Sequence, residues 1–461
     1  MVTHPALLAA GAVPARSQMA STLGFHIILA CFGIAFPAVV MTAEWIGIRR
    51  REPAALLLAR RWSKVMALLF AVGAVSGTVL SYEMGLLWPG LMGRFGAAIG
   101  IPFSVEDVFF FLEAIFTGIY LYGWRRLAGW AHWWTGMPIV IAGIAGAMSV
   151  VAANSWMNQP GGFTLRHGKI TAVNPWSVYF NRATPYEVPH MVLAAYMVTG
   201  FVIAGVYAVG MLRGRRNRYH ELGFKIPFWV GAIVAPVQVV VGHIAGVQIA
   251  SQQPQKFAAM EFVTHTQRGA TEYLGGFYYH GQVYLSLSVP KLDSILVGFS
   301  PNTKVIGWDS VPPRLRAPLP DLIHLSFDGM VAIGLGLLAL GAWHGWVWWF
   351  HRRLPRSRWF LPLASVSGLA AIAAMEMGWI VTEVGRQPWI VYHVLLTQNA
   401  VTPATAVPVT LGVILGFYAV ITVVSVGVPW RMGQRWRRED AELEEQEGVP
   451  YGPPAGQVSS R

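Results

Sequence analysis

The chain has 461 residues, of which 54% are hydrophobic and only 12% charged, with a mean hydropathy of +0.48. A soluble protein carries roughly 25% charged residues, so a string of soluble domains is excluded in favour of an all-α, polytopic transmembrane helical bundle. The net charge of +12 sits in short basic segments between apolar runs, which suits contact with anionic lipid and asks for no nucleic acid. The single cysteine, Cys31, excludes a disulfide framework and any cysteine-held metal or iron–sulfur cluster.

Taken in chain order, apolar runs fall near 18–47, 65–84, 105–124, 136–154, 188–211, 226–250, 319–349, 359–383 and 406–430. Each is close to or above the ~20 residues that cross a hydrocarbon core, which predicts about nine spans. Arg16 precedes the first run, and that run is too long for the apolar part of a secretory signal. Basic residues cluster in alternate connections: Arg49 to Lys64, Arg125 and Arg126, Arg213 to Lys225, Arg352 to Arg358, and Arg431 to Arg438. The positive-inside pattern then puts the N-terminus outside and the C-terminus in the cytoplasm. The expected organisation is six spans in 1–250, an extracytoplasmic loop at 251–318, three spans in 319–430, and a polar tail at 431–461. The tail turns acidic and Pro/Gly-rich, a composition expected to be disordered, whereas a loop as long as 251–318 is usually functional or disordered.

Charged and imidazole side chains at membrane depth are costly and mark function. His26 lies in the first span, Glu106 and Glu113 in the third, His190 at the start of the fifth, Met330 in the seventh, and Glu376 and Glu383 in the eighth. The seven-residue spacing in each glutamate pair places both members on one helix face. Counted from the outer ends at 1.5 Å per residue, His26, Glu106, Glu113, His190, Met330 and Glu383 share the outer half of the bundle. Alone, each is more simply a hydrogen-bonded interior residue or core filler. Together they suggest a cofactor layer. A histidine with a methionine from another helix is a haem pair, yet residue types alone leave open a transporter whose intramembrane acids carry protons or cations.

The segment Gly378-Trp379-Ile380-Val381-Thr382-Glu383-Val384-Gly385-Arg386-Gln387-Pro388-Trp389 resembles the signature of subunit I, the catalytic subunit, of cytochrome bd quinol oxidases. Phe25-His26, Glu106 with Phe111-Leu112-Glu113, Asn154 to Pro160, and the stretch around Met330 agree with it, over most of the chain to about residue 430. The resemblance implies a nine-span terminal oxidase that oxidises quinol and reduces oxygen to water, generating a proton-motive force without pumping. It implies a low-spin haem b, a high-spin haem b, and haem d or a further haem b in its place. His190 and Met330 match the axial pair of the low-spin haem. His26 and Glu383 match ligands at the high-spin haem b and haem d, in an order left unassigned. Glu106 and Glu113 match carboxylates of proton delivery or ligation, with Glu376 and Asp107 beside such a route. Arg386 and Arg16 match propionate partners, and Trp379 an aromatic position close to the haems. Lys256-Phe257-Ala258-Ala259-Met260-Glu261 resembles the quinol-loop element in its short-loop form, making Lys256 and Glu261 the quinol candidates. A second subunit, subunit II, and a small accessory subunit are the partners implied, beside membrane lipid. Asp328 departs from the pattern, standing where arginine is common, and Asp107 stands where glycine is common. A haem oxidase with a donor other than quinol is a further alternative.

Overall fold

The computed structural model describes residues 5–166 and 169–442. Among the described residues, nine helices are long and apolar enough to cross a membrane. They are α1 (Pro5–Arg50), α2 (Pro53–Leu87), α3 (Pro89–Gly123) and α4 (Gly129–Asn158), then, after the short α5 (Pro175–Tyr179), α6 (Thr184–Leu212) and α7 (Arg218–Gln252). The short α8 (Pro254–Met260) and α9 (Leu292–Gly298) precede α10 (Pro320–His351), α11 (Phe360–Gly385) and α12 (Val407–Glu442). Helices dominate because lipid offers the backbone no hydrogen bonds. Proline opens α2, α3 and α10, where its missing N–H costs nothing.

The spanning helices are longer than the apolar runs, since their ends continue into polar connections. One end of the bundle carries the arginine-rich turns; the other, the loop end, carries every strand. Helix α6 is the centre of the main core, with Phe201 edge-on to Phe228 of α7. Its approach to α7 requires glycine: a Cβ on Gly200 would meet the Pro227 carbonyl oxygen at 2.7 Å. On the other side, a Cβ on Gly368 of α11 would meet Val202 Cα at 2.5 Å. Small residues let membrane helices close on one another this way. Helices α3 and α12 instead expose apolar faces, including Phe111, Ile115, Val413 and Val423.

At the loop end, β1 (Phe163–Arg166) pairs antiparallel with β2 (Lys169–Val173). Residues 251–318 form an ordered cap. β3 (Gln267–Arg268) pairs with β8 (Lys304–Val305), β4 (Glu272–Leu274) with β7 (Leu287–Val289), and β5 (Phe277–Tyr279) with β6 (Gln282–Tyr284). Phe257, Met260, Phe262, Val263 and Trp308 give the cap its own core, sealed onto Ile323 of α10 and Val381 of α11. A last small hairpin, β9 (Trp389–Val391) with β10 (Leu395–Leu396), follows α11.

The expected disordered tail is corrected in part: α12 continues through Glu442. Trp436 packs under the Arg61 guanidinium at 5.3 Å, and this cation–π contact ties the polar stretch to α2. Residues 443–461 lie outside the described residues.

Candidate functional site

The donors His26, His190, Glu383 and Met330 lie on α1, α6, α11 and α10, which pack in that series, each against the next. His26 of α1 is half-buried against α2, where its Nδ1 contacts Ser76 Oγ at 2.9 Å. Ser76 already donates to the Gly73 carbonyl, so it accepts from the imidazole. That bond fixes the proton on Nδ1 and leaves the Nε2 lone pair for another partner, the arrangement typical of a metal-binding histidine. Gly77 keeps the ring's flank open, since a Cβ there would come within 3.0 Å of His26 Cε1.

His190 of α6 faces Gly242 of α7, whose added Cβ would lie 3.3 Å from His190 Cε1. Its Nδ1 is fully buried without a hydrogen-bond partner, and its Nε2 has only Gln238 at 3.5 Å. Met330 of α10 points at α11, with Sδ 3.0 Å from where a Gly378 Cβ would sit. Helices α10 and α11 interlock there, because Met377 Sδ fills the matching position over Gly329 at 2.8 Å.

The end of α11 builds the most polar part of the site. Glu383 and Arg386 are one turn apart and pair at 2.5 Å, and Asn154 of α4 donates to the second Glu383 oxygen at 2.6 Å. Arg386 is 2% exposed, and its Nε and Nη1 have no partner. Lys256 of α8 reaches into the same cluster and donates to Asn158 at 3.3 Å. Gly385 admits it, since a Cβ there would collide with Lys256 Cγ at 2.8 Å. Burial pulls the Lys256 ammonium down to about 8, although Glu187 and Glu383 favour its charged form. Glu187, at the start of α6, accepts from Asn158 at 3.0 Å and feels Lys256 and Arg386.

The remaining acids line the bundle around α1. Glu376 of α11 lies beside Gly24, its Oε2 3.3 Å from a Cβ built there, two residues from His26. Glu113 faces Gly33 of α1, and Glu106 faces Gly146 of α4. Asp107 is exposed on the outer face of α3. Trp379 is half-buried against the main core, and Arg16 is half-buried near the loop end of α1.

Lys256 and Glu261 do not pair. Glu261 turns away from the Glu383 cluster into the cap, toward Glu272 and Asp328, and burial with these like charges pushes its carboxyl well above the usual range. Sequence reasoning missed Glu187, Glu272 and Asp293. Glu187 sits one residue before the apolar run that marked its span, and the other two lie in a loop with no periodic signal.

These donors fit a haem better than a compact metal ion. They are nitrogen, thioether and carboxylate groups on different helices, with a glycine beside each of His26, His190 and Met330. The unpartnered N–H groups of Arg386 suit an anionic substituent such as a propionate.

The class defined by fold and site is a polytopic helical membrane protein with buried haem-type donors. The family model described as cytochrome bd terminal oxidase subunit I matches residues 14–436, and the chain belongs to that family. A cytochrome bd menaquinol oxidase subunit I of Bacillus subtilis is 32% identical, over 90% of this chain and 95% of that protein. The cytochrome bd-II ubiquinol oxidase subunit 1 of Escherichia coli is 24% identical over 89% and 94%. The solved bd oxidase of Geobacillus thermodenitrificans superposes with a TM-score of 0.87 at 34% identity, covering 92% of this chain and 98% of that one.

Proposed function

We propose that His190 and Met330 hold a low-spin haem b, and that His26 and Glu383 serve a high-spin haem b and a haem d, or a further haem b in its place. As a member of its family, the chain is the haem-bearing subunit of a terminal respiratory quinol oxidase, a multi-pass protein of the bacterial cytoplasmic membrane. Neither a transporter nor a non-quinol donor is favoured by that membership. The haems, when bound, carry electrons and supply the iron at which oxygen is reduced to water.

The chain's own residues position charge and protons. Arg386 offers its two free nitrogens, Nε and Nη1, to a propionate beside Glu383, with Arg16 as a second such partner, and Trp379 packs alongside. Glu106 and Glu113 stand seven residues apart, about 10 Å along α3, so a proton passing between them needs bridging water. Glu376 lies against Gly24 of α1, two residues before His26, and Asp107 marks the α3 face at which such a route opens.

Quinol is oxidised under the cap of 251–318, with the N-terminus and that cap outside. Lys256 stabilises the negative charge that develops on a quinol oxygen as its proton leaves, and Glu261 accepts a hydrogen bond from a hydroxyl. Subunit II covers the exposed apolar face of α3, where Asp107 would otherwise meet lipid at high cost; a small accessory subunit fits the remaining helix surface. The observation that carries the reading is the buried, half-satisfied Arg386 guanidinium paired to Glu383. A pyridine haemochrome assay on the purified complex tests it. Arg386→Leu is expected to lower haem content and Arg386→Lys to restore part of it; full haem in both would refute the assignment.

A further inference from the structure

The acid cluster inside the cap is unexplained by haem binding. Glu261 at the end of α8, Glu272 on β4 and Asp293 in the first turn of α9 each aim a carboxylate oxygen at one point. The three oxygens lie within 4.8 Å of one another. The residues are only 4%, 5% and 1% exposed. Glu261 Oε2, Glu272 Oε2 and both Asp293 oxygens are fully buried with no hydrogen-bond partner outside the cluster itself.

The surrounding charge makes matters worse rather than better. Glu272 and Asp328 act on Glu261, and Glu261, Glu272 and Asp328 all act on Asp293. Asp328 is held nearby by the Gly275 N–H at 2.5 Å and lies 3.4 Å from His324. Among the described residues no lysine or arginine forms an ion pair with Glu261, Glu272 or Asp293; those found pair Glu52, Glu221 and Glu383 instead. Buried like charges at this spacing do not stay ionised without a counter-charge.

We propose that Glu261, Glu272 and Asp293 bind one Ca²⁺ ion, which pins α8, β4 and α9 together as the base of the cap. The donors are all hard oxygens, the set that selects Ca²⁺ or Mg²⁺ over softer metals. Ca²⁺ takes six to eight oxygens in a flexible shell and accepts several carboxylates, whereas Mg²⁺ usually binds through one or two and keeps several waters. Three converging protein carboxylates suit the larger ion. A carboxylate that ligates through one oxygen keeps the other for a hydrogen bond, so ion binding is compatible with the quinol role proposed for Glu261.

Metal analysis of the purified oxidase complex tests this, after desalting into buffer stripped with a chelating resin. One calcium per copy of this chain is expected, removed by EGTA and restored by CaCl₂. Trypsin cleavage at the exposed Arg268, Lys291 and Lys304 is expected to speed up about tenfold after chelation, as a local structure loses its ligand. Asp293→Asn and, independently, Glu272→Gln are expected to cut bound calcium to about a tenth and to make cleavage fast and calcium-insensitive. Haem content, read on the same samples, reports assembly and tests the haem assignment separately. No retained calcium with chelator-insensitive cleavage would overturn the site, and would leave a proton-sharing acid cluster in its place. Calcium retained unchanged in either variant that assembles would place the ion elsewhere and overturn it too; if neither variant assembles, the chelation result on the unmodified complex decides.

Discussion

Two groups of acids, one half-buried and one fully buried, lie at the loop end, and their surroundings are opposite. Glu383 and Glu187 are met by Arg386, Lys256, Asn154 and Asn158. Among the described residues, Glu261, Glu272 and Asp293 meet acids alone: one another and Asp328. A buried carboxylate persists where the chain supplies a counter-charge or where something from solution does. The first group is therefore complete except for the spare N–H groups of Arg386, which await an anion. Among the described residues the second has no basic partner, which is why a cation is proposed there. The two proposed sites are thus of opposite sign, one at the mouth of the bundle and one within its cap.

The largest expected effect comes from making the first group resemble the second. Arg386→Leu leaves Glu383 and Glu187 short of a cation, and breaking such a buried pair costs about 3–5 kcal/mol. Oxygen uptake with quinol is expected to fall at least a hundredfold, with a lowered thermal unfolding midpoint; a variant that is active and equally stable would show that the pairing is incidental. Lys256→Ala is next. Removing a buried charged donor from a binding site costs about 2–5 kcal/mol, so the quinol KM should rise by one or more orders of magnitude while haem spectra stay unchanged. Unaltered quinol kinetics would remove Lys256 from the donor site.

A pH series sharpens the same point. Burial lowers the Lys256 ammonium to about 8, so the charge is present below that pH and lost as pH rises through it. The quinol KM should therefore climb above pH 8, and Lys256→Arg, charged throughout, should flatten that rise. A KM that climbs identically in the arginine variant would assign the titration to another group. The smallest effect is expected at Asp107, which faces outward from α3. Asp107→Asn is expected to change turnover by less than about threefold, or roughly 0.6 kcal/mol, with subunit II still co-purifying; a complete loss of activity would make it an obligatory proton carrier.

The helical bundle was legible because lipid imposes a length: every span is a largely apolar run close to or above the ~20 residues that cross a bilayer. The cap was not. Its strands are two or three residues long, too short for alternation to register, and Glu261, Glu272 and Asp293 meet only through that folding. The helix through 431–442 was hidden for a related reason, since its composition reads as solvated coil while Trp436 and Arg61 anchor it. At the haem-type site, residue types and motif named His26, His190, Met330, Glu383 and Arg386. What they could not reveal was the company each keeps: Ser76 orienting His26, Gly242 beside His190, Gly378 against Met330. Such partners are small, chemically quiet residues on other helices. Lys256 and Glu261, adjacent in one short motif, face different clusters because five residues of α8 turn them apart.

The central assignment is that His190 and Met330 face one iron from two helices. The most direct measurement is the reduced-minus-oxidised absorption spectrum of the purified complex carrying Met330→Leu, set against the unmodified protein. The low-spin haem b band should disappear or shift to a high-spin form, with the other haem bands retained. An unchanged low-spin band would contradict that pairing, and a haem-free unmodified complex would contradict the haem site as a whole.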